Sequence, residues 1–321
     1  MNQPATPNFD DLFVGQMPRA MSSTAASYDD LYYFIYWFSL IFTVLITVVS
    51  LYFIVKYKRK AGDMPEKTVV DLTKLEIFWT VTPIFFVIYL FHIGFKDFVA
   101  NAVAADGAIE IRVRAKQWLW DFEYPNGMRE NNVILFPVDT PIKMVMSSDD
   151  VIHSFYIPEF RLKKDVVPGL YSTVTFTPTV LGEAHVFCAE FCGTSHSGML
   201  ATVKVVPRAE YESYIKEGPK KPEDLTDAQW GEKLFTQNGC SVCHARDGVT
   251  KSQCPNLQGI WGRNELLTTN ERITVDENYV KESIRKPQAK IVAGFTNLLM
   301  PTFALTDRQV DAIIAYFKTL K

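Results

Sequence analysis

Cysteine is scarce in this chain of 321 residues: there are five, and four of them fall in two short motifs, so the chain is no disulfide scaffold. A charge excess is lacking too. Thirty-three Lys and Arg against 36 Asp and Glu leave a formal net charge of −3, which argues against a nucleic-acid protein. Residues 1–30 are polar and rich in Pro, Ser, Thr and Ala. They lack the basic start, short apolar core and small-residue cleavage site of a signal peptide. An export signal was therefore either removed or is supplied by the first long apolar run.

What the chain does have is sulfur beside imidazole. Cys188-Ala-Glu-Phe-Cys192-Gly-Thr-Ser-His196-Ser-Gly-Met199 holds two thiols, an imidazole and a thioether, and His153 lies upstream in Val-Ile-His-Ser-Phe. Soft sulfur with imidazole and little hard oxygen is a ligand set for copper rather than magnesium or calcium. A disulfide between the two cysteines and a His2Cys2 zinc site are the alternatives. Neither uses Met199, nor Gly193 and Gly198, which let the backbone turn tightly. Asp149 and Asp150 stand close enough to His153 to orient its ring or face a positive partner, although such a pair is commonly just solvated.

Cys240-Ser-Val-Cys243-His244 is the c-type haem attachment signature. Two thiols at this spacing can each add to a haem vinyl group, and the next imidazole can reach the iron. A thioredoxin-like dithiol has no need of His244, and a zinc site wants more ligands than the segment supplies. Met300 in Leu-Leu-Met-Pro-Thr-Phe is the candidate distal ligand, ahead of a helix expected over Thr306 to Leu320. Cys254 is the odd cysteine, read as buried filler in preference to a reactive thiol. His92 and His185 are read as structural.

Leu31 to Val55 carries no charge and is long enough as a helix to cross ~30 Å of hydrocarbon, with Tyr32, Tyr33 and Trp37 placed for a membrane interface. Leu75 to Phe95 is long enough as well, so the two form a helical hairpin. Lys56, Lys58, Arg59, Lys60, Lys67 and Lys74 crowd the loop between them, while the outer flanks offer Arg19 and Lys96. Positive charge marks the cytoplasmic side, so both termini face outward. Glu76 starts the second span; by spacing it is an interfacial carboxylate.

From Ile109 the period becomes two: Ile109, Ile111 and Val113 alternate with Glu110, Arg112 and Arg114. Further strands are expected over Pro141–Ser147, Leu170–Thr177, Ala184–Phe187 and Met199–Val206, with turns at Pro125-Asn126-Gly127, Pro168-Gly169 and Gly182. That pattern predicts a β-sandwich or Greek-key barrel. Gln117-Trp118-Leu119-Trp120-Asp121-Phe122 is an aromatic run that fills a core or an interface by default. Pro207 to Asp224 reads as a linker in which Tyr211, Tyr214 and Ile215 form at most a short helical turn. Leu225 to Gln237 follows as a helix with Trp230, Leu234 and Phe235 on one face.

Cys188 to Met199 with His153 resembles the CuA site of cytochrome c oxidase subunit II. The resemblance implies two coppers bridged by Cys188 and Cys192, an imidazole each from His153 and His196, and Met199 and the Glu190 carbonyl completing the set. It also implies a magnesium ion held by the Glu190 carboxylate at the boundary with subunit I. Trp118 matches the surface tryptophan at which electrons enter from cytochrome c, although Leu119 stands where the family often has Tyr. Glu76, three residues before Trp79, matches a glutamate at the mouth of a proton channel. Met300-Pro301 and Pro255-Asn256-Leu257 resemble class I cytochromes c, with Cys254 a departure from the usual Gly.

The expected organisation is an outer segment 1–30, a transmembrane helical hairpin 31–98, an all-β cupredoxin-like Greek-key domain 99–207, a linker 208–224 and an all-α class I cytochrome c domain 225–321. The family implied is the caa-type haem–copper oxidase, in which this chain would pass electrons from cytochrome c or another donor through haem c and CuA to subunit I. Such an oxidase reduces oxygen, translocates protons and includes a subunit III; it sits in the lipid of a bacterial inner membrane with the copper and haem domains outside. A nitric oxide reductase subunit and a non-enzymatic copper carrier are the alternatives.

Overall fold

The computed structural model describes residues 13–14, 17–59, 62, 72–250, 254–296 and 300–321. Lys60 and Lys67 of the loop, residues 1–12 and 15–16 of the outer segment, and Leu298 and Leu299 before Met300 lie outside the described residues. The described chain divides into two units, Thr24–Val103 and the rest.

The first unit is two helices, α1 (Ala25–Lys56) and α2 (Thr73–Ala102). Both are apolar all round, and apart from Ala25 neither buries a residue. Trp37, Val55 and Phe85 are 56%, 77% and 68% exposed. Such a surface requires lipid rather than water. At 1.5 Å per residue the helices run ~45 Å or more, beyond the ~30 Å of a hydrocarbon core. They outrun the predicted spans at both ends, because nothing in Ala25–Asp30 or Lys96–Ala102 stops a helix. Phe38 stacks on Phe86 at 4.0 Å, and the Asn101 amide donates to the Tyr28 hydroxyl at 2.9 Å.

The second unit begins with a minimal hairpin, β1 (Phe13–Val14) and β2 (Met17–Pro18), after which Met21 N–H donates to the Glu159 carbonyl at 2.9 Å. Ten strands follow: β3 (Ile109–Lys116), β4 (Leu119–Glu123), β5 (Arg129–Asn131), β6 (Val133–Pro137), β7 (Ile142–Ser148), β8 (His153–Ile157), β9 (Leu162–Val166), β10 (Ser172–Phe176), β11 (Gly182–Cys188) and β12 (Leu200–Val206). They form two five-stranded sheets, ordered β10-β7-β3-β4-β5 and β6-β12-β11-β8-β9. The pairs β3–β7 and β6–β12 are parallel and the rest antiparallel. In β3, Ile111, Val113 and Ala115 point inward while Arg112 and Arg114 face out, as the period of two requires. Trp120, Phe122, Phe136, Phe155 and Phe160 fill the core with no exposure. The predicted sandwich is thus present, with β4, β5, β6, β8 and β9 in addition to the expected strands.

The predicted linker is corrected at its first half. Arg208–Glu217 is a ten-residue helix, α3, rather than a single turn. Tyr211, Tyr214 and Ile215 fall on one stripe, and the sandwich supplies the apolar ground that stripe needs. Tyr124 lies 6.3 and 6.2 Å from the Tyr211 and Tyr214 rings.

The C-terminal domain comprises α4 (Asp227–Gln237), the short α5 (Cys240–Cys243), a hairpin of β13 (Asn264–Leu266) and β14 (Arg272–Thr274), α6 (Glu277–Arg285) and α7 (Asp307–Phe317). Capping boxes start both α4, at Thr226 and Gln229, and α7, at Thr306 and Gln309. The two helices cross where Gly231 meets the Ala312 carbonyl. A Cβ on Gly231 would lie 1.9 Å from that oxygen, so only glycine permits the crossing. Gly231→Ala is expected to destabilise this domain by about 2–3 kcal/mol or more, read as a lowered melting temperature.

A second test concerns α3. Burial lifts the Glu130 carboxyl to about 7 against an ordinary 4.5, although a hydrogen bond with the Tyr214 hydroxyl pulls it down. A carboxyl with a higher pKa folded than unfolded binds more protons in the native state. Its stabilising contribution is full below about pH 4.5 and is lost as pH rises through 7. Amide exchange in α3, corrected for intrinsic rates, should quicken from pH 5 to pH 8, and Glu130→Gln should flatten that trend.

Candidate copper and haem centres

Neighbouring strands assemble the sulfur–imidazole cluster. β8 pairs with β11 so that Phe155 faces Cys188, which brings His153, the first residue of β8, beside the last residue of β11. The chain then loops through a short 3-10 turn, His196–Gly198, and delivers Met199 immediately before β12. The Cys188 and Cys192 sulfurs lie 3.7 Å apart. His153 Nδ1 stands 3.8 Å from the Cys188 sulfur, His196 Nδ1 3.5 Å from the Cys192 sulfur, and Met199 Sδ 3.9 Å from the latter. The Glu190 carbonyl is 3.3 Å from the Cys188 sulfur, while its carboxylate is exposed. His153 and Met199 have no exposure at all.

A disulfide is excluded by the sulfur separation, since an S–S bond is about 2.05 Å. The thiols instead repel each other's charge. Burial pushes the Cys188 thiol up, but hydrogen bonds with His153 and backbone groups outweigh it and bring the thiol to about 6. Burial and the Cys188 charge together push Cys192 up to about 12. At neutral pH such a pair gives up its second proton when a cation close to both sulfurs offsets the paired charge. With two imidazoles and a thioether at the same spot, the donor set fits soft copper.

The surroundings hold the ligands in place. Asp150 Oδ1 lies 2.8 Å from His153 Nε2, fixing the ring with Nδ1 toward the cysteines. Asp149 does something else: it pairs with Arg114 at 2.7 Å. Gln117, which sequence reasoning passed over, donates its backbone N–H to Asp150 at 2.7 Å and its side-chain amide to the Cys192 carbonyl at 2.6 Å. Its one sequence signal was a polar residue opening an aromatic run. Gly193 has φ +122°, and a Cβ there would meet Gln117 Nε2 at 2.8 Å.

The second centre is an apolar cavity in the C-terminal domain. Cys240, His244 and Met300 line it with Leu257, Ile260 and Phe303. His244 Nδ1 lies 2.9 Å from the Pro255 carbonyl, which leaves Nε2 for a metal. Burial lowers the His244 pKa, so its imidazole is kept neutral, the form that ligates. An apolar slot lined by the Cys240 thiol, an imidazole and a thioether, with Cys243 lining the adjoining cavity, suits a covalently attached haem. Cys254 is corrected here: it is half-buried and hydrogen-bonds with the Cys243 thiol, so it is not core filler.

Trp118 lines a second cavity shared with Cys240, Cys243, His244 and Met300. It is 8% exposed and is covered rather than at the surface. Its indole edge reaches the copper-side loop, 3.0 Å from where a Gly193 Cβ would stand. Glu76 lies exposed in the first turn of α2. His92 is exposed within α2, and His185 pairs with Glu159 at 3.3 Å.

Fold and sites define a membrane-anchored electron-transfer protein in which a cupredoxin-like domain is joined to a c-type cytochrome. Residues 11–97 match the transmembrane domain of cytochrome c oxidase subunit II, 127–206 its periplasmic domain, and 228–321 cytochrome c. Cytochrome c oxidase subunit 2 of Alkalihalophilus pseudofirmus is 31% identical over 294 residues, covering 87% of this chain and 83% of that protein. The subunit 2 of Bacillus subtilis is 30% identical over 300 residues, covering 85% and 83%. A solved periplasmic domain of oxidase subunit II from Bradyrhizobium japonicum is 26% identical, with a TM-score of 0.35 over 36% of this chain and 95% of that one. The chain belongs to the cytochrome c oxidase subunit II family, in its caa-type form with a C-terminal cytochrome c domain, and is a subunit of a haem–copper oxidase.

The ring-fixing role of Asp150 is open to direct test. Asp150→Ala should leave the cysteines in place but free His153, weakening copper retention about 10–100-fold in a chelator competition.

Proposed function

We propose that this chain receives electrons one at a time outside the membrane and hands them to the oxygen-reducing centre of subunit I. The observation that carries the reading is the buried pair of cysteine sulfurs 3.7 Å apart, flanked by imidazole and thioether. Cys188 and Cys192 would bridge two coppers, with His153 and His196 contributing one nitrogen each. Met199 and the Glu190 carbonyl would complete the set. Cys240 and Cys243 would carry haem c, with His244 and Met300 on its iron. When bound, these groups each take up and release a single electron at little structural cost.

The protein's own part is to hold the ligands still. Asp150 and Gln117 lock His153 and the Cys192 carbonyl, so a charge change at the site meets fixed dipoles instead of moving side chains. Burial of His153, Cys188, Cys192 and Met199 keeps water from reorganising around most of the cluster. Trp118 lies between the two sets of ligands.

Lys56, Lys58 and Arg59 at the end of α1 support a cytoplasmic loop and a two-pass topology in a bacterial inner membrane. Both redox domains would then stand on the outer side. The exposed Glu190 carboxylate is suited to a magnesium ion at the boundary with subunit I. Phe191, 76% exposed beside His196, suits an apolar contact with another subunit. Subunit III, lipid around α1 and α2, and cytochrome c or another donor complete the partners. Glu76 in the first turn of α2 would stand at the entrance of the proton path that couples the reaction to proton pumping.

The purified oxidase complex should contain one haem c and two coppers in this chain, with a mixed-valence copper EPR signal. Cys192→Ser should abolish that signal while leaving the haem c band. Zinc or a single copper in the matured protein would remove the assignment. Consumption of nitric oxide in place of oxygen would move the chain to a different catalytic partner. Glu76→Ala should slow proton-coupled turnover, and unchanged turnover would remove that role.

A further inference from the structure

The haem-bearing segments of the cytochrome domain rest on three residues of the sandwich. Asn131, at the end of β5, is 2% exposed and accepts the Ala304 N–H at 2.8 Å with its side-chain oxygen. Ala304 is four residues beyond Met300. Asn132 places its side-chain nitrogen 3.3 Å from where a Cβ on Gly239 would be, and Gly239 immediately precedes Cys240. Gly198, between His196 and Met199, faces Val242, between Cys240 and Cys243. A Cβ on Gly198 would lie 3.2 Å from both Val242 methyls. Each segment that would carry a haem ligand is therefore gripped by the sandwich, and the grip surrounds Trp118, which is left only 8% exposed.

We propose that Asn131, Asn132 and Gly198 form a seat for the chain's own cytochrome domain, holding its haem segments on Trp118 and closing that face to any separate donor protein. These are positioning residues, acting through the placement of the other domain. The proposal rests on the electron-transfer reading above but does not stand or fall with metal content. The surface that a separate cytochrome would need at Trp118 is occupied within the chain, so an outside donor must reach the cytochrome domain instead. The contact is polar at Asn131 and tight at Gly198. Buried polar groups left without partners are costly, which favours one docked register over many.

The test uses the full chain in its oxidase complex. Asn131→Ala removes the acceptor of the Ala304 N–H. Gly198→Ala inserts a methyl against Val242, and Gly198→Ala with Val242→Ala makes room for it again. Amide exchange at residues 116–120 and 193–198 reads the seat without reference to the redox groups. Flash-induced electron transfer from haem c to copper reads its consequence. Asn131→Ala and Gly198→Ala should each raise exchange there at least tenfold and slow the intramolecular step at least tenfold, with the haem and copper spectra of Asn131→Ala unchanged. The double variant should return both towards wild type. Added soluble cytochrome c should gain a direct route to copper only in the unseated variants. Wild-type exchange in both single variants, or a slowed rate that the Val242→Ala partner change does not restore, overturns the proposal.

Discussion

Two buried thiols 3.7 Å apart do not both give up their protons at neutral pH unless a cation offsets the paired charge. Much of the sandwich supports that constraint. β8 and β11 must pair in one register to set His153 beside Cys188. The loop after β11 must turn back within a dozen residues to bring His196 and Met199 to the same spot. A sandwich with fully buried aromatics beneath this loop gives it a floor that does not move.

The same rigidity extends into the second domain. Trp118 touches both neighbourhoods: one edge lies against the Gly193 loop and the other side lines the cavity of Cys240 and Met300. The buried Asp121, held by Arg129 and by Lys116 at 3.8 Å, anchors the strand that carries this aromatic run. Removing one partner of such a pair costs far more than the pair itself contributes, because a lone charge would be left buried.

Most donors of the two candidate sites were legible in the sequence because they are local: Cys188 to Met199 and Cys240 to His244 carry them within a few residues, whereas His153 and Met300 are brought in by the fold. The membrane helices were legible from length and lack of charge. The alternating strands β3 and β12 were legible from period. What escaped was set by contacts between distant segments. Leu119–Glu123 is buried on both faces, so it showed no alternation and read as an aromatic patch. α3 has few apolar residues, and only the sandwich beneath Tyr211 and Tyr214 makes it a helix. Gln117, Asn131 and Asn132 are ordinary polar residues until the fold puts a carbonyl, an amide or a neighbouring domain beside them. Cys254 read as filler because nothing in the sequence brings it to Cys243.

Between the end of α3 at Glu217 and the start of α4 at Asp227 lie nine residues. Fully stretched, they reach only ~30 Å. Because α3 is fastened to the sandwich, the cytochrome domain hangs on a short leash rather than on the full predicted linker. A domain so tethered stays at an effective concentration on the order of millimolar near its own copper loop. Its return after any excursion is then a unimolecular event, insensitive to dilution and far less sensitive to salt than capture of a diffusing donor.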